Sequence, residues 1–161
     1  MVFVNVKILD RGEPISIDSI INDLVREDAD HLVGGVGLFI GLVKGEINGS
    51  TVTSLEYSAI KEVAEKALNH IAYEIAEKYG LQGVLIYHRI GDLKPGETTL
   101  IIAVAGKSRV NVMPALSEAL ERVKKEVPVF KLEHRSDGDY WIIGDSTRIP
   151  KKQASRTLQS L

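Results

Sequence analysis

Val2, Val4, Val6 and Ile8 alternate with other residues, the period of a strand with one buried face. Gly12 and Pro14 interrupt the pattern. Ser16 then stands as an N-cap before Ile17, Ile20, Ile21 and Leu24, whose spacing predicts a helix ending near Asp28. Residues 34–44 are an apolar run broken by glycines, the pattern of a strand that another backbone approaches closely. Asn48-Gly49 is the strongest turn signal in the chain, and the β-branched and aromatic residues of 51–57 predict the next strand.

The clearest helix follows. Ile60, Val63, Ala64, Ala67, Leu68, Ile71, Ala72, Ile75, Ala76 and Tyr79 hold one apolar face, and Gly80 ends it. Strands over 83–90 and 98–105 flank the turn Lys94-Pro95-Gly96. A third helix is predicted over 111–126, with Val112, Leu116, Ala119, Leu120 and Val123 inward and Pro114 in its first turn. After Pro128 come a strand over 129–134, a turn at Asp137-Gly138 and a strand over 140–143. Neighbouring strands joined by short turns indicate antiparallel pairing, so the class is α+β: a mixed, largely antiparallel sheet with packed helices.

The 161 residues suit one domain, taken as 1–144, and the polar, basic stretch 145–161 reads as a flexible C-terminal tail. A second expectation for that stretch is that it folds over a pocket or a dimer interface, because Ile149-Pro150 stands beside several cations. The absence of cysteine removes a thiol nucleophile, a thiolate zinc site and a disulfide framework, and any sulfur handled here must arrive on another molecule. A net charge of −2 gives nucleic-acid binding no electrostatic basis. No apolar run reaches the roughly 18 residues of a membrane span, so a soluble, cytoplasmic protein is expected.

Candidate chemistry is sparse. Gly106-Lys107-Ser108 imitates the end of a phosphate-binding P-loop, but the glycine required five positions earlier is Ile101. A smaller anion site remains conceivable where Lys107, Ser108 and Arg109 precede a helix start, with a basic surface turn as the alternative. Lys124 closes the third helix and Lys131 lies between Phe130 and Leu132, where apolar neighbours would make it easier to deprotonate; the alternative is that both extend into solvent. His31, His70, His88 and His134 show no metal-ligand spacing, and no metal or cofactor is expected.

Taken in order, the segments Phe39-Ile40-Gly41-Leu42-Val43-Lys44, Leu55-Glu56-Tyr57, His88-Arg89-Ile90-Gly91, Pro95-Gly96-Glu97 and Pro128-Val129-Phe130-Lys131-Leu132-Glu133, with Asp137-Gly138 and Trp141 beyond, resemble the molybdopterin synthase large-subunit family. The resemblance runs over about residues 30–143 and rests on the ordered set rather than on any one piece. It implies an α/β hammerhead-type fold and a homodimer of large subunits within a heterotetramer. It also implies a small ubiquitin-like partner whose C-terminal thiocarboxylate gives its sulfur to cyclic pyranopterin monophosphate. Lys124 and Lys131 match the family's active-site lysines, and Arg109 an arginine of its anion pocket. Phe39, Leu42, Val43 and Lys44 match a segment lining the substrate site, to which Lys107, Ser108, Leu132 and Glu133 are added as candidates. Two positions depart from the family pattern: Lys107-Ser108-Arg109 stands where Ala-His-Arg is usual, and Lys44 where an arginine is usual. A lysine keeps the charge but loses the bidentate fork. The competing reading is a non-catalytic module binding a ubiquitin-like tail or a small anion, which does not require Lys124 and Lys131 to converge.

Overall fold

The computed structural model describes residues 1–144 and 146–152. Its elements follow in the order β1 (Phe3–Leu9), α1 (Ile17–Val25), β2 (Gly35–Leu42), β3 (Glu46–Ile47), β4 (Ser50–Ser58), α2 (Lys61–Tyr79) and β5 (Gly83–Arg89). They continue with β6 (Gly91–Leu93), β7 (Thr98–Gly106), α3 (Arg109–Glu126), β8 (Phe130–Arg135), β9 (Gly138–Ile143) and β10 (Thr147–Pro150). The α+β class is as expected, but the strands divide between two sheets. The first has the order β1-β5-β7-β2, with β1 and β5 parallel and the other pairs antiparallel. The second runs β10-β9-β8-β4-β3, with β6 also paired to β4, and is antiparallel throughout.

Both faces of the first sheet are covered. On one, Val84, Ile86, Leu100, Ile102 and Val104 meet Leu68, Ile71 and Ile75 of α2 and Val112, Ala115, Ala119 and Val123 of α3. On the other, Leu85, Ile101 and Ala103 meet Ile20 and Leu24 of α1. Such two-sided cover explains why β7 is a nearly continuous apolar run rather than an alternating one. A third cluster, Val43, Val52, Tyr57 and Leu93, fills the concave side of the second sheet. Among the described residues no helix is long and apolar enough to cross a membrane.

Several boundaries move from their expected places. α1 stops at Val25 rather than near Asp28, whose carboxylate instead accepts the amides of Leu32 and Val33 at 2.7 and 2.8 Å. α3 begins at Arg109, two residues before the predicted Asn111, because the Ser108 hydroxyl caps it by accepting the Val110 amide at 3.3 Å. Pro114 therefore sits in the second turn, and the Val110 carbonyl that its missing N–H would serve lies on an exposed face. Residues 147–150, read as part of a flexible tail, form β10 against β9. Asp145 and residues 153–161, the rest of that tail, lie outside the described residues.

Gly34, just before β2, and Gly37 within it sit where another part of the chain comes close, as the sequence suggested. A Cβ on Gly34 would lie 2.1 Å from the Lys107 carbonyl oxygen, and one on Gly37 would lie 2.7 Å from Val112 Cγ1. Gly34→Ala must shift backbone at the junction of β2 and α3, so it should lower the unfolding free energy by about 1–3 kcal/mol, read from the urea midpoint at unchanged slope.

Candidate active site

The C-terminal ends of β2, β5 and α3 meet the starts of β7 and β8 where the two sheets join, and a cavity of about 450 Å³ opens there. Phe39, Leu100, Val123, Val127 and Val129 make its apolar walls; Tyr57, His88 and Thr99 are its uncharged polar members; Lys44, Lys124 and Lys131 are its cations. A second recess of about 180 Å³ adjoins it and shares Leu42, Lys44, Tyr57, Lys124 and Lys131, adding Val43, Glu133 and Arg148. The three lysines thus stand at the boundary of both spaces.

Local structure explains each placement. In the pairing of β2 with β7, Gly41 faces Leu100 and Leu42 faces Thr98, so Thr99 is the extra residue of a bulge. The bulge brings Thr99 into the cavity wall, where its hydroxyl hydrogen-bonds Tyr57. A side chain at residue 41 would crowd it, since a Cβ on Gly41 would lie 3.0 Å from Thr99 Oγ1. Tyr57 on β4 is the register partner of Lys131 on β8, and the Lys131 Nζ stands 5.8 Å from the centre of the Tyr57 ring. Lys124 occupies the last turn of α3, where the helix dipole favours a cation.

Glu133, two positions beyond Lys131 and on the same strand face, is only 3% exposed. Its Oε1 accepts from Arg148 Nε at 3.1 Å, and Arg135 Nε is 3.7 Å away. The Arg135 guanidinium lies flat over Tyr140, 3.6 Å from the ring centre. This buried carboxylate is thereby paired, and Arg148 of β10 joins the wall of the second recess.

Phe39, Leu42, Val43, Lys44, Lys124, Lys131 and Glu133 are therefore brought together. Leu132 is not: successive strand residues face opposite ways, and Leu132 lines neither space. Lys107, Ser108 and Arg109 lie at the far end of α3, which at about 1.5 Å per residue separates Arg109 from Lys124 by roughly 22 Å. Ser108 is further engaged as a cap, its hydroxyl donating to Asn111 Oδ1 at 3.1 Å. Tyr57, His88, Thr99 and Arg148 were not singled out from the sequence as site residues. Tyr57 and His88 were visible as members of ordered segments, whereas nothing in sequence marked the bulge at Thr99 or the return of Arg148.

Burial governs the two aromatic groups. The Tyr57 hydroxyl is pushed up to about 12 by desolvation. His88, 5% exposed, is pushed down to about 4, first by desolvation and further by the charge of Lys131. Its ring meets Tyr57 edge-on with centroids 5.1 Å apart. A histidine neutral when folded binds fewer protons than the unfolded chain between its depressed value and the ordinary 6.5. The folded state must therefore lose stability as pH falls through that window, by about 1.4 kcal/mol per pH unit from this group. In His88→Phe, that share of the slope should vanish from unfolding free energies measured between pH 4.5 and 6.5 (a range chosen as roughly that window).

The model of the MoaE protein family matches residues 11–126. The molybdopterin synthase catalytic subunit of Pyrococcus abyssi is 38% identical over 120 residues, covering 74% of this chain and 80% of that protein. A crystal structure of molybdopterin synthase from Staphylococcus aureus, 34% identical, superposes with a TM-score of 0.72 over 86% of this chain and 96% of the other. The fold also matches, at 17% identity and a TM-score of 0.64, a chain of the complex of subunits 1 and 2 of the molybdopterin-converting factor from Helicobacter pylori, over 93% of this chain and 90% of that one. With the family model spanning well over half of its length, the chain belongs to the MoaE protein family.

Proposed function

We propose that the paired cavities are the sulfur-transfer site of a molybdopterin synthase catalytic subunit. The larger takes cyclic pyranopterin monophosphate, and the narrower takes the C-terminal Gly-Gly thiocarboxylate of a small ubiquitin-like subunit. The observation that carries this reading is the shared boundary of the two spaces, at which Lys44, Lys124 and Lys131 gather. A flat heterocycle suits the larger, apolar-walled space, and a chain end without side chains suits the smaller. A binding module that only held a peptide tail would have no use for a second, larger cavity opening onto the same lysines.

The chemistry follows from the charges. The thiocarboxylate sulfur attacks a side-chain carbon of the pterin, and that carbon's bond to oxygen breaks, the oxygen leaving with the opened cyclic phosphate or as water, so that an acyl thioester joins the two molecules. Water then adds to the acyl carbon, and the C–S bond to that carbon breaks. The partner is left with a carboxylate and the pterin with a thiolate. Lys124 and Lys131 would stabilise the tetrahedral oxyanion and the leaving thiolate, and Lys44 the phosphate. A second round with a fresh partner supplies the second sulfur of the dithiolene.

Lys107, Ser108 and Arg109 fit this site only if they come from another copy of the chain. β2 is an edge strand that starts beside Lys107 and ends at the cavity rim, with Val36, Ile40 and Leu42 exposed. Two such strands paired antiparallel about a twofold axis would carry the Arg109 end of one copy toward the lysines of the other. Its eight residues span about 27 Å, comparable with the separation along α3.

Reconstitution with thiocarboxylated small subunit and cyclic pyranopterin monophosphate tests the assignment. Lys124→Ala and Lys131→Ala should each lower dithiolene formation at least about 100-fold with small-subunit affinity retained; unchanged rates in both would sink it. Mixing Lys131→Ala with Arg109→Ala protein should restore part of the activity, because mixed dimers would hold one intact site. Absence of any recovery would count against a shared site.

A further inference from the structure

The three lysines of the larger cavity offer only N–H groups, and its Tyr57 and Thr99 hydroxyls can turn to donate or to accept. His88 differs. Its Nδ1 lies 2.9 Å from the Arg89 carbonyl oxygen, which can only accept, so Nδ1 carries the proton. In the neutral ring Nε2 then holds a lone pair, on a side chain that lines the cavity. The ring is held from both sides, by the Arg89 carbonyl and by the edge of Tyr57, so this acceptor cannot swing away to find another donor. Desolvation and the neighbouring Lys131 keep it uncharged, which preserves its role as acceptor.

We propose that His88 Nε2 is a specificity-determining acceptor that takes a ring N–H of the flat heterocyclic substrate, setting the orientation in which its side chain meets the lysines. The proposal rests on the sulfur-transfer reading for the identity of that substrate. The apolar walls Phe39, Val123 and Val127 admit a planar ring but do not choose among its rotations. A fixed ring nitrogen that can only accept does choose, because the wrong rotation would set a carbonyl lone pair against that of Nε2. With Nε2 occupied by N–H, the anionic part of the substrate turns toward Lys44, Lys124 and Lys131, at the side open to the second recess. Discrimination by such a group is strong because a ligand lacking the donor covers the acceptor without pairing it.

Calorimetric titration of the full chain with cyclic pyranopterin monophosphate, without the small subunit and hence without turnover, reads this directly. His88→Phe, which keeps a ring against Tyr57, should weaken binding about tenfold or more. His88→Gln, whose amide oxygen can stand near the place of Nε2, should recover part of that loss. Binding of the small subunit should be unchanged in both. Equal affinity of wild type and His88→Phe overturns the acceptor while leaving the sulfur-transfer reading intact. Failure of the wild-type protein to bind the pterin overturns both. Should His88→Phe not fold, titration of the wild type with a ring-N-methylated pterin decides: weaker binding supports the acceptor, and equal binding to the unmodified compound overturns it.

Discussion

The close packing of α3 on the first sheet is the constraint from which the site follows. Ala115 and Ala119 are fully buried beneath the helix, and Gly37 and Gly106 leave no side chain in its way. Small residues on both sides bring backbone near backbone, so the height of the helix above the sheet is fixed by contact rather than by adaptable side chains. The Ser108 cap pins one end. Val123 and Val127 then emerge at the other end just where β2 and β5 finish, and Lys124 between them can only face the junction of the two sheets.

Onto that frame the second sheet is docked by register. Pairing β4 with β8 sets Tyr57 opposite Lys131 and Leu55 opposite Glu133, so one alternation settles both the cation on the ring and the carboxylate behind it. A slip of one residue would turn Leu132 inward and Lys131 outward, exchanging a charge for an aliphatic group at the site. The buried Glu133, held by Arg148 and near Arg135, opposes such a slip, because moving it would strand a carboxylate without its cations. Charge at this junction therefore works on architecture as well as on ligands.

Much of this was legible in the residues themselves. α2 and its Gly80 cap and the Asn48-Gly49 turn with positive φ at both residues follow from period and residue type, whereas the lysines on either side of Pro128 stood out through the family resemblance alone. The division into two sheets did not, since alternation tells which face of a strand is buried and not which strand it joins. Lys107 to Arg109 stand away from the lysines within one chain because a long helix lies between them, a distance that family resemblance does not carry. The helix start was in fact readable at Ser108, but Pro114 drew the expected boundary toward itself. β10 escaped notice because it lies at the edge of its sheet, where a strand can be polar and short and show no apolar alternation.

The position of β10 has a bearing on how the molecule is made. It follows every other described element in the chain, yet Arg148 supplies the nearer cation to a carboxylate set deep beside the lysines. During synthesis from the N-terminus, strands β1 to β9 and helices α1 to α3 can assemble while that carboxylate still lacks its closer counter-ion. The wall of the smaller recess is finished only once residue 148 has left the ribosome. A nascent chain can therefore hold most of its core before the wall of that recess is complete.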